Sequence, residues 1–394
     1  MPTRAIVVAG AGIGGLAVAL AAARAGYIVT VLERAIELEE AGAGVQLAAN
    51  ATRCLDFLGV LDRLRSTAVR PEAFQVIDGR SGGRLAEARM GRDAQTRFGA
   101  PFLVIHRADL QAALLAAVKD EPTIDLRLGR TVEEFAVHAG IVTVLANHGG
   151  DTEEHRAHAL IGADGIRSTV RDRLGGRGAP VFRHRAAWRA TVDTEELPAR
   201  FTEPVVRLFL GPDAHIVSYP VRGGGAVNLV AITTDRRPSH GWGIGAAPEE
   251  LAAPFARWHG EARTIIAAPE RWLRWALFDL DPLTRSWGSG PVTLLGDAAH
   301  AMLPFLAQGA AQALEDACVL GITLGEAGDD IAAALRVYEQ RRLGRVTRVQ
   351  QAARTADRIY HLGGPARLAR DTVLRARSGG ALLERYGWIY RWGP

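Results

Sequence analysis

The sequence is poor in lysine, and nearly all of its positive charge is arginine. Lys119 is the only lysine among 47 basic residues. The basic residues are interleaved with 43 acidic residues and form no stripe of the kind that binds nucleic acid. We therefore expect no nucleic-acid partner. The net charge of +4 leaves two interpretations open, a preference for small anionic ligands or a compositional bias of the source genome.

Cysteines and long apolar runs are also scarce. The two cysteines, Cys54 and Cys318, lie far apart in apolar helical contexts, which argues against a disulfide framework or a metal-binding pair. The chain opens on a predicted strand at Arg4 rather than a signal peptide. The apolar run from Leu16 to Ala25 is too short and too rich in alanine to span a bilayer. We expect a cytoplasmic protein with buried thiols and no membrane contact.

The composition is that of a globular protein with a sizeable core. Of the 394 residues, 48% are apolar and 23% are charged, and the length suggests about two domains. A βαβ unit opens the chain, with a strand from Ala5 to Ala9, a helix from Gly14 to Arg24 and a strand from Ile28 to Leu32. Its short apolar strands are typical of a buried parallel sheet.

Along the rest of the chain, the pattern of apolar and polar residues changes twice. Residues 35–75 predict loops and short helices, and the alternating pattern of 124–148 predicts antiparallel strands. Alternation returns at about 181–270, which predicts an antiparallel sheet in a second, smaller domain. A helix is predicted at Ala108 to Val118, and a long helical region at 310–376. Further strands are predicted at Ala159 to Ala163, Ala187 to Val192, Val205 to Leu210, His215 to Val221, Val227 to Thr233 and 291–295.

The turn after the first strand carries the pattern GxGxxG, formed by Gly10, Gly12 and Gly15. Gly10 allows a tight turn, Gly12 lets the backbone approach a pyrophosphate, and Gly15 lets the helix pack on the strand. The helix N-terminus offers free N–H groups to the phosphate. Glu33, at the end of the second strand, is placed to accept hydrogen bonds from a ribose. This predicts dinucleotide binding without choosing NAD or FAD; the alternative is a glycine turn that binds nothing.

Two later segments follow predicted strands and carry acidic residues. They are Gly162–Arg171, which contains Asp164-Gly165, and Thr293–His300, which contains Gly296-Asp297 and continues from Pro304 to Asp316. In this order the three motifs resemble the single-component FAD-dependent aromatic hydroxylases, a group that includes salicylate hydroxylase, 3-hydroxybenzoate 6-hydroxylase and 6-hydroxynicotinate 3-monooxygenase. The resemblance covers nearly the whole chain, including 40–47, 105–110 and 215–220.

The resemblance implies that the cofactor is FAD, with NAD(P)H as co-substrate. Asp164 would serve FAD and the nicotinamide donor, Asp297 would hold the ribityl chain, and Arg107 would lie along the FAD. Instead of binding cofactor, Arg107 and Asp109 could have a purely structural role, as an N-terminal helix cap and a surface ion pair. The full set expected to bind cofactor is Gly10, Gly12, Gly15, Glu33, Arg34, Gly44, Val45, Gln46, Arg107, Asp164, Asp297, Pro304, Gly309 and Ala310.

A further helix is expected to open at Gln308-Gly309-Ala310. Its N-terminus, pointed at the flavin, would stabilise the negative charge of reduced flavin. Glu315 and Asp316 follow in the same helix, and we expect them to be packing or ion-pair partners rather than catalytic residues.

The expected fold class is α/β. A Rossmann-like, discontinuous FAD-binding domain (1–75, 98–180 and 271–345) is interleaved with a smaller antiparallel-sheet substrate domain (76–97 and 181–270). A C-terminal helical region follows at 346–394.

The family reaction implies a substrate site with a general base. Flavin reduced by NAD(P)H reacts with O₂ to a C4a-hydroperoxide, which hydroxylates an electron-rich ring, and a base that deprotonates a phenol helps. His215 and Tyr219 share one face of a predicted strand and lie roughly 13 Å apart at about 3.3 Å per residue. In relatives the matching histidine is the base and the matching tyrosine lines the substrate site. The alternative is a structural strand histidine.

The polar substrate contacts of the relatives are incomplete here. Phe102 stands where 3-hydroxybenzoate 6-hydroxylase has a tyrosine, Pro304 where it has a glutamine, and Phe305 where other members have a histidine. We therefore expect a small aromatic acid, such as salicylate or a hydroxybenzoate, without naming the position of hydroxylation. The aromatic tail Tyr386, Trp388, Tyr390 and Trp392 predicts either a cover for the chain's own core or the interface of a homodimer.

Three other functions remain open on sequence alone. An NAD-dependent dehydrogenase would leave the Asp164 and Asp297 segments unexplained. A non-catalytic flavin- or ligand-binding protein could keep the same fold. A tailoring hydroxylase could act on a larger, polyketide-like ring, and the volume around His215 would separate it from an enzyme of single-ring acids.

Overall fold

A computed structural model describes residues 4–38, 43–175, 178–236, 244–282 and 287–394. The strands are β1 Ala5–Ala9, β2 Ile28–Glu33, β3 Gly44–Leu47, β4 Ala73–Asp78, β5 Arg84–Arg89, β6 Leu103–His106, β7 Ile124–Leu128, β8 Thr131–His138, β9 Ile141–His148, β10 Asp151–Ala157, β11 Ala159–Gly162, β12 Val181–Asp193, β13 Val205–Gly211, β14 Ala214–Val221, β15 Ala226–Thr234, β16 Ile244–Ala246, β17 Trp272–Asp279 and β18 Val292–Leu294. The helices are α1 Ile13–Arg24, α2 Ala49–Phe57, α3 Gly91–Phe98, α4 Arg107–Lys119, α5 Thr169–Arg173, α6 Pro248–Phe255, α7 Gly260–Ala267, α8 Asp297–His300, α9 Gly309–Glu326, α10 Ile331–Tyr360, α11 Gly364–Ala376, α12 Gly379–Glu384 and α13 Gly387–Tyr390.

The N-terminal βαβ unit lies at the centre of a five-stranded sheet of order β18-β11-β1-β2-β7. Its pairings are all parallel, and β1, β11 and β18 are apolar and almost wholly buried because the sheet is covered on both faces. The expectation of antiparallel strands throughout 124–148 is wrong for its first part. β7 pairs parallel with β2 and only β8, β9 and β10 form an antiparallel meander. As a half-exposed edge strand, β7 alternates apolar and polar residues and so imitates an antiparallel pattern.

A second, eight-stranded sheet has the order β16-β17-β12-β15-β14-β13-β4-β5. The four strands expected between 181 and 270 are all present, and β12 is longer than expected at Val181–Asp193. The expected boundary at 76 falls inside β4, and the boundary at 271 leaves β17 on the FAD-binding side although it pairs with β12. The expectation of loops and short helices over 35–75 also missed β3 and the start of β4, because both are short strands that pair with distant segments.

The long helical region expected at 310–376 consists of three helices, α9, α10 and α11. α9 packs on α1 so closely that a Cβ on Gly321 would lie 2.7 Å from the Cβ of Ala21. The 30-residue α10 runs from the parallel sheet to the large sheet, and the expected boundary at 346 falls inside it. α10 therefore connects both sheets to the C-terminal helices.

The two cysteines are free and buried, as expected. Among the described residues, no helix combines the length and apolar character needed to cross a membrane.

Candidate active site

The turn between β1 and α1 requires its glycines for different reasons. Gly10 has a φ of +100°, and a Cβ there would lie 2.6 Å from the carbonyl oxygen of Ala163. A Cβ on Gly15 would overlap the carbonyl oxygen of Gly10. At Gly12, by contrast, no described atom lies within 4 Å of the position that a Cβ would take. Gly10 and Gly15 are thus needed by the fold, whereas Gly12 leaves the backbone open to close approach by a ligand.

Glu33 lies at the same end of the parallel sheet. Its Oε2 accepts the Ala11 N–H at 2.7 Å and its Oε1 accepts the Ala35 N–H at 2.9 Å. α1 begins beside it without a side-chain cap and without an acidic residue in its first turn, so its N–H groups are available to an anion. Arg34 follows in an exposed position. Contact between ribose and Glu33, and any role of Arg34, stay predictions.

The acidic residues after β11 and β18 come to this edge because the two strands are neighbours in the sheet. Asp164 Oδ2 accepts the Val170 N–H at 3.2 Å, while its Oδ1 is buried with no hydrogen-bond partner among the described residues. Burial raises the pKa of Asp164. Asp297 is exposed although the residues on either side of it are buried, and its Oδ1 lies 4.0 Å from where a Cβ on Gly309 would stand.

The segment Gly44, Val45 and Gln46 forms β3, which pairs antiparallel with β6 just before Arg107. The Arg107 N–H donates to the Ala43 carbonyl at 2.8 Å, which brings these predicted cofactor residues together. The N-cap of α4 is His106, whose Nδ1 accepts the Ala108 N–H at 3.3 Å. The alternative that Arg107 or Asp109 caps this helix is therefore wrong.

The loop before α9 completes the edge. Pro304 opens a short 3₁₀ turn, Gln308 is the N-cap of α9, and Gly309 and Ala310 form its first turn, which lacks acidic residues and a side-chain cap. Gln308 is held by the side-chain amide of Asn50, 2.9 Å from its Oε1. Asn50 belongs to no recognisable motif, so its contact with Gln308 was not predicted from the sequence.

A cavity of about 180 Å³ adjoins this edge, between the large sheet and the C-terminal helices. Gln46, Pro304 and Gln308 line the cavity on the side of the predicted cofactor residues, and His215 and Val217 contribute from β14. The remaining wall is mostly apolar and includes Phe74, Phe102, Val206, Leu208, Leu210, Phe305, Tyr360, Leu382, Leu383, Tyr386 and Tyr390, together with Arg385.

His215 is 3% exposed and sits among rings. The rings of Phe305 and Tyr360 lie edge-on at 5.5 Å, and His215 Nδ1 is 2.8 Å from Nε2 of His361. Burial, followed by the charges of His361 and Arg185, holds the pKa of His215 well below its ordinary value. His215 is therefore neutral near pH 7.

Tyr219 shares the strand face of His215, but it is not among the described residues that line the cavity. Its ring lies 2.6 Å from where a Cβ on Gly44 would stand, close to Asn228, whose Oδ1 accepts the Gly44 N–H. Burial raises the pKa of Tyr219. Tyr219 packs against β3, and a direct role at the substrate stays a prediction.

The aromatic tail covers its own chain, the first of the two interpretations offered for it. Tyr386 and Tyr390 line the cavity, and Trp392 packs against the main core. Arg348 stacks on Trp388 at 3.8 Å. A homodimer stays a prediction.

Glu315 and Asp316 are ion-pair partners, as expected, in a fully buried network. Arg342 contacts Glu315 Oε2 and Asp316 Oδ1, both at 2.6 Å, and His300 Nε2 lies 2.6 Å from Asp316 Oδ2. The network fixes α9 against α10 and against the helix that carries Asp297.

Comparison with known proteins agrees with this geometry. The family model described as "FAD binding domain" matches residues 3–353. A 3-hydroxybenzoate 6-hydroxylase of Polaromonas naphthalenivorans is 37% identical over 392 residues, covering 98% of this chain and 96% of the relative. A 3-amino-4-hydroxybenzoate 2-monooxygenase of Streptomyces platensis is 39% identical over 387 residues, covering 98% and 95%.

Solved structures show the same fold over the whole chain. Klebsiella pneumoniae HpxO, complexed with FAD and uric acid, superposes with a TM-score of 0.87 at 27% identity, covering 99% of this chain and 97% of that one. A salicylate hydroxylase substrate complex gives a TM-score of 0.83 at 28% identity, covering 99% and 96%.

Proposed function

The chain belongs to the FAD binding domain family, and from this premise we propose that it is a monooxygenase that hydroxylates a small phenolic acid, using NAD(P)H and O₂. The Polaromonas naphthalenivorans and Streptomyces platensis relatives are named for reactions of hydroxylated benzoates, which supports this substrate class. The observation that carries the proposal is the position of His215, a buried, neutral base in the wall of a cavity that adjoins the cofactor residues.

The cofactor side of the site fits FAD. Two uncapped helix N-termini, those of α1 and α9, suit the diphosphate and the reduced flavin respectively. Gly12 allows close approach of the pyrophosphate, and Asp164 Oδ1 and the exposed Asp297 are acceptors for hydroxyl groups. When bound, FAD supplies electron transfer from NAD(P)H and the activation of O₂.

The size of the cavity favours a single ring. A dry cavity of about 150 Å³ is enough for benzene, so about 180 Å³ accommodates a benzoate with one or two small substituents. This argues against the alternative of a larger, polyketide-like substrate.

Arg385 explains why the substrate would carry a carboxylate. It is the only arginine or lysine among the described residues that line the cavity, and its guanidinium lies beside Tyr386, 5.7 Å from the ring centroid. A carboxylate on the substrate would therefore face Arg385, and the phenol would face His215. His215 then accepts the phenolic proton, which makes the ring a better nucleophile.

The test is a panel of acids assayed with the FAD-loaded protein: 3-hydroxybenzoate, salicylate, 3-amino-4-hydroxybenzoate and uric acid. We expect a benzoate to stimulate NAD(P)H oxidation and to yield a product with one added oxygen. Flavin absorbance without stimulation by any acid would favour a non-catalytic binding protein. If the protein takes up no FAD and instead reduces NAD⁺ with an oxidisable substrate, it is a dehydrogenase.

Arg385→Gln tests the acid group separately. Loss of a charge-assisted hydrogen bond should raise the KM for 3-hydroxybenzoate about 10-fold, with little change for the neutral 3-hydroxybenzamide. Arg377→Gln, an exposed arginine outside the cavity lining, is the matched control. Equal effects on the acid and the amide would remove Arg385 from substrate recognition.

A further inference from the structure

His215 is the inner end of a chain of three hydrogen-bonding groups that leads away from the cavity. Its Nδ1 lies 2.8 Å from His361 Nε2, and His361 Nδ1 lies 2.8 Å from Asp357 Oδ1. His361 and Asp357 are on the last turns of α10 and in the turn that follows it, beyond the residues matched by the family model. The Asp357 side chain is 18% exposed, so the chain of groups leads from the cavity wall to the surface.

We propose that His361 and Asp357 are positioning residues that set the tautomer of His215 and conduct the phenolic proton from the cavity to solvent. This rests on the proposed function, in which His215 is the base.

The tautomers follow from the acceptor at the outer end. The carboxylate of Asp357 can only accept, so His361 carries its proton on Nδ1 and presents a bare Nε2. His215 must then donate from Nδ1 to that nitrogen, which leaves its own Nε2 bare. A neutral imidazole with a bare Nε2 is the form that accepts a proton from a phenol.

The charges around the chain of groups favour this arrangement. Arg185 from β12 pairs with Asp357 at 2.9 Å, and the ring of Tyr360, whose pKa is raised by burial, lies edge-on to His215. Burial alone would raise the pKa of Asp357, but the hydrogen bond from His361 and the charge of Arg185 hold it below its ordinary value. Asp357 is therefore an anion at neutral pH.

Proton conduction resolves a difficulty at His215. A histidine whose pKa lies well below its ordinary value holds a phenolic proton poorly, so a base that kept the proton would be weak. As the phenolic proton reaches Nε2 of His215, the Nδ1 proton passes to Nε2 of His361, and the Nδ1 proton of His361 passes to Asp357 and to water. The substrate becomes a phenolate and one proton leaves; reverse passage protonates the product and resets both rings.

The first measurement needs no turnover. In the FAD-loaded protein with 3-hydroxybenzoate and without NAD(P)H, the ultraviolet absorbance of the phenolate gives the apparent pKa of the bound phenol. Asp357→Asn removes the carboxylate that accepts the proton at the outer end of the relay, so this pKa should rise above its value in the parent protein, and His361→Gln should raise it similarly. Asp357→Glu should restore most of the parent value, which a merely structural role does not require.

The second measurement needs no ligand. Long-range ¹⁵N–¹H correlations of the imidazole rings, assigned with the His215→Gln and His361→Gln variants, report the tautomers directly. We expect the Nδ1–H form for both rings in the parent protein and a mixture of tautomers in Asp357→Asn. A predominant Nε2–H form of His361 in the parent would overturn the proposal.

Asp281→Asn is the matched control. Asp281 also pairs with an arginine of α10, Arg354, at 2.7 Å, but contacts no histidine in the described structure. Its substitution should leave the phenol pKa and the tautomers as in the parent. If the Asp357 and His361 variants match Asp281→Asn while His215→Gln shifts the phenol pKa, the relay is wrong and the proposed function stands. If His215→Gln also shifts nothing, the role of His215 in the proposed function fails.

Discussion

At the scale of single residues, the environment of His215 determines its protonation state. Burial makes the imidazolium costly, so the group is neutral at pH values where an exposed histidine is partly charged. Because the pKa is lowered, the basic form persists as the pH falls below 6.5, the ordinary value, and is lost only near the lowered pKa.

The pH dependence of coupling tests this. We expect the ratio of hydroxylated product to NAD(P)H oxidised to stay constant from neutral pH to below 6.5 in the parent protein. His215→Ala should lower hydroxylation by about 10²–10⁴-fold and divert electrons to hydrogen peroxide, with a pH dependence that follows the phenol's own ionisation. A variant as tightly coupled as the parent would make His215 a residue of the sheet only.

Substitution of Asp297 tests its predicted contact with FAD. An exposed carboxylate among buried neighbours, beside the N-terminus of α9, suits the ribityl hydroxyls. Asp297→Ala should weaken FAD binding by roughly 1.5–3 kcal/mol, measured by flavin fluorescence after removal and re-addition of FAD. Asp125→Asn, an exposed carboxylate on β7, should bind FAD like the parent. Unchanged affinity in Asp297→Ala would show that this carboxylate does not contact the cofactor.

At the scale of elements, we expect different glycines of the β1–α1 turn to serve folding and FAD binding. Gly12→Ala introduces a methyl group that meets no described atom, so the thermal stability of the apoprotein should be unchanged while FAD affinity falls. Gly15→Ala forces a Cβ into the Gly10 carbonyl and should lower the apoprotein stability itself. Thermal melts with and without FAD distinguish the two. A Gly12→Ala protein that binds FAD normally would place the pyrophosphate elsewhere.

Short-range patterns were sufficient to predict the parallel sheet and the meeting of the glycine turn and the two acidic segments at one end of it. The glycine spacing at 10–15 and the acids after β11 and β18 are local signals, and the parallel topology brings them together. The link between His215 and His361 spans 146 residues, and that between Asn50 and Gln308 spans 258. Neither has a periodic or motif signal, so both needed the folded chain. The half-exposed β7 misled the prediction because its alternation reflects an edge position rather than antiparallel pairing.

At the scale of the whole molecule, the buried network holds α9 and the helix that carries Asp297 against α10, which leads into the C-terminal helices. Although burial alone would lower the pKa of Arg342, the carboxylates of Asp316 and Glu315 raise it. Arg342→Met leaves two buried carboxylates short of their partner and should cost about 3–5 kcal/mol of the free energy of unfolding, measured by denaturant titration. Arg341→Met, which breaks an exposed pair with Glu326, should cost at most about 1 kcal/mol. Equal costs would mean that the network contributes no more than a surface pair.

The scarcity of lysine has a practical consequence for spectroscopy. Lys119 is the only side-chain amine of the protein and is exposed at the end of α4, the helix that begins at Arg107 on the cofactor edge. The 13 residues of α4 span about 20 Å at 1.5 Å per residue, a distance over which energy transfer from a blue-emitting fluorophore to oxidised flavin is efficient. Once the α-amino group of the chain is blocked, an amine-directed label would therefore place a donor at a known end of a rigid helix, so that its quenching reports the arrival, departure and redox state of the isoalloxazine ring without any engineered cysteine.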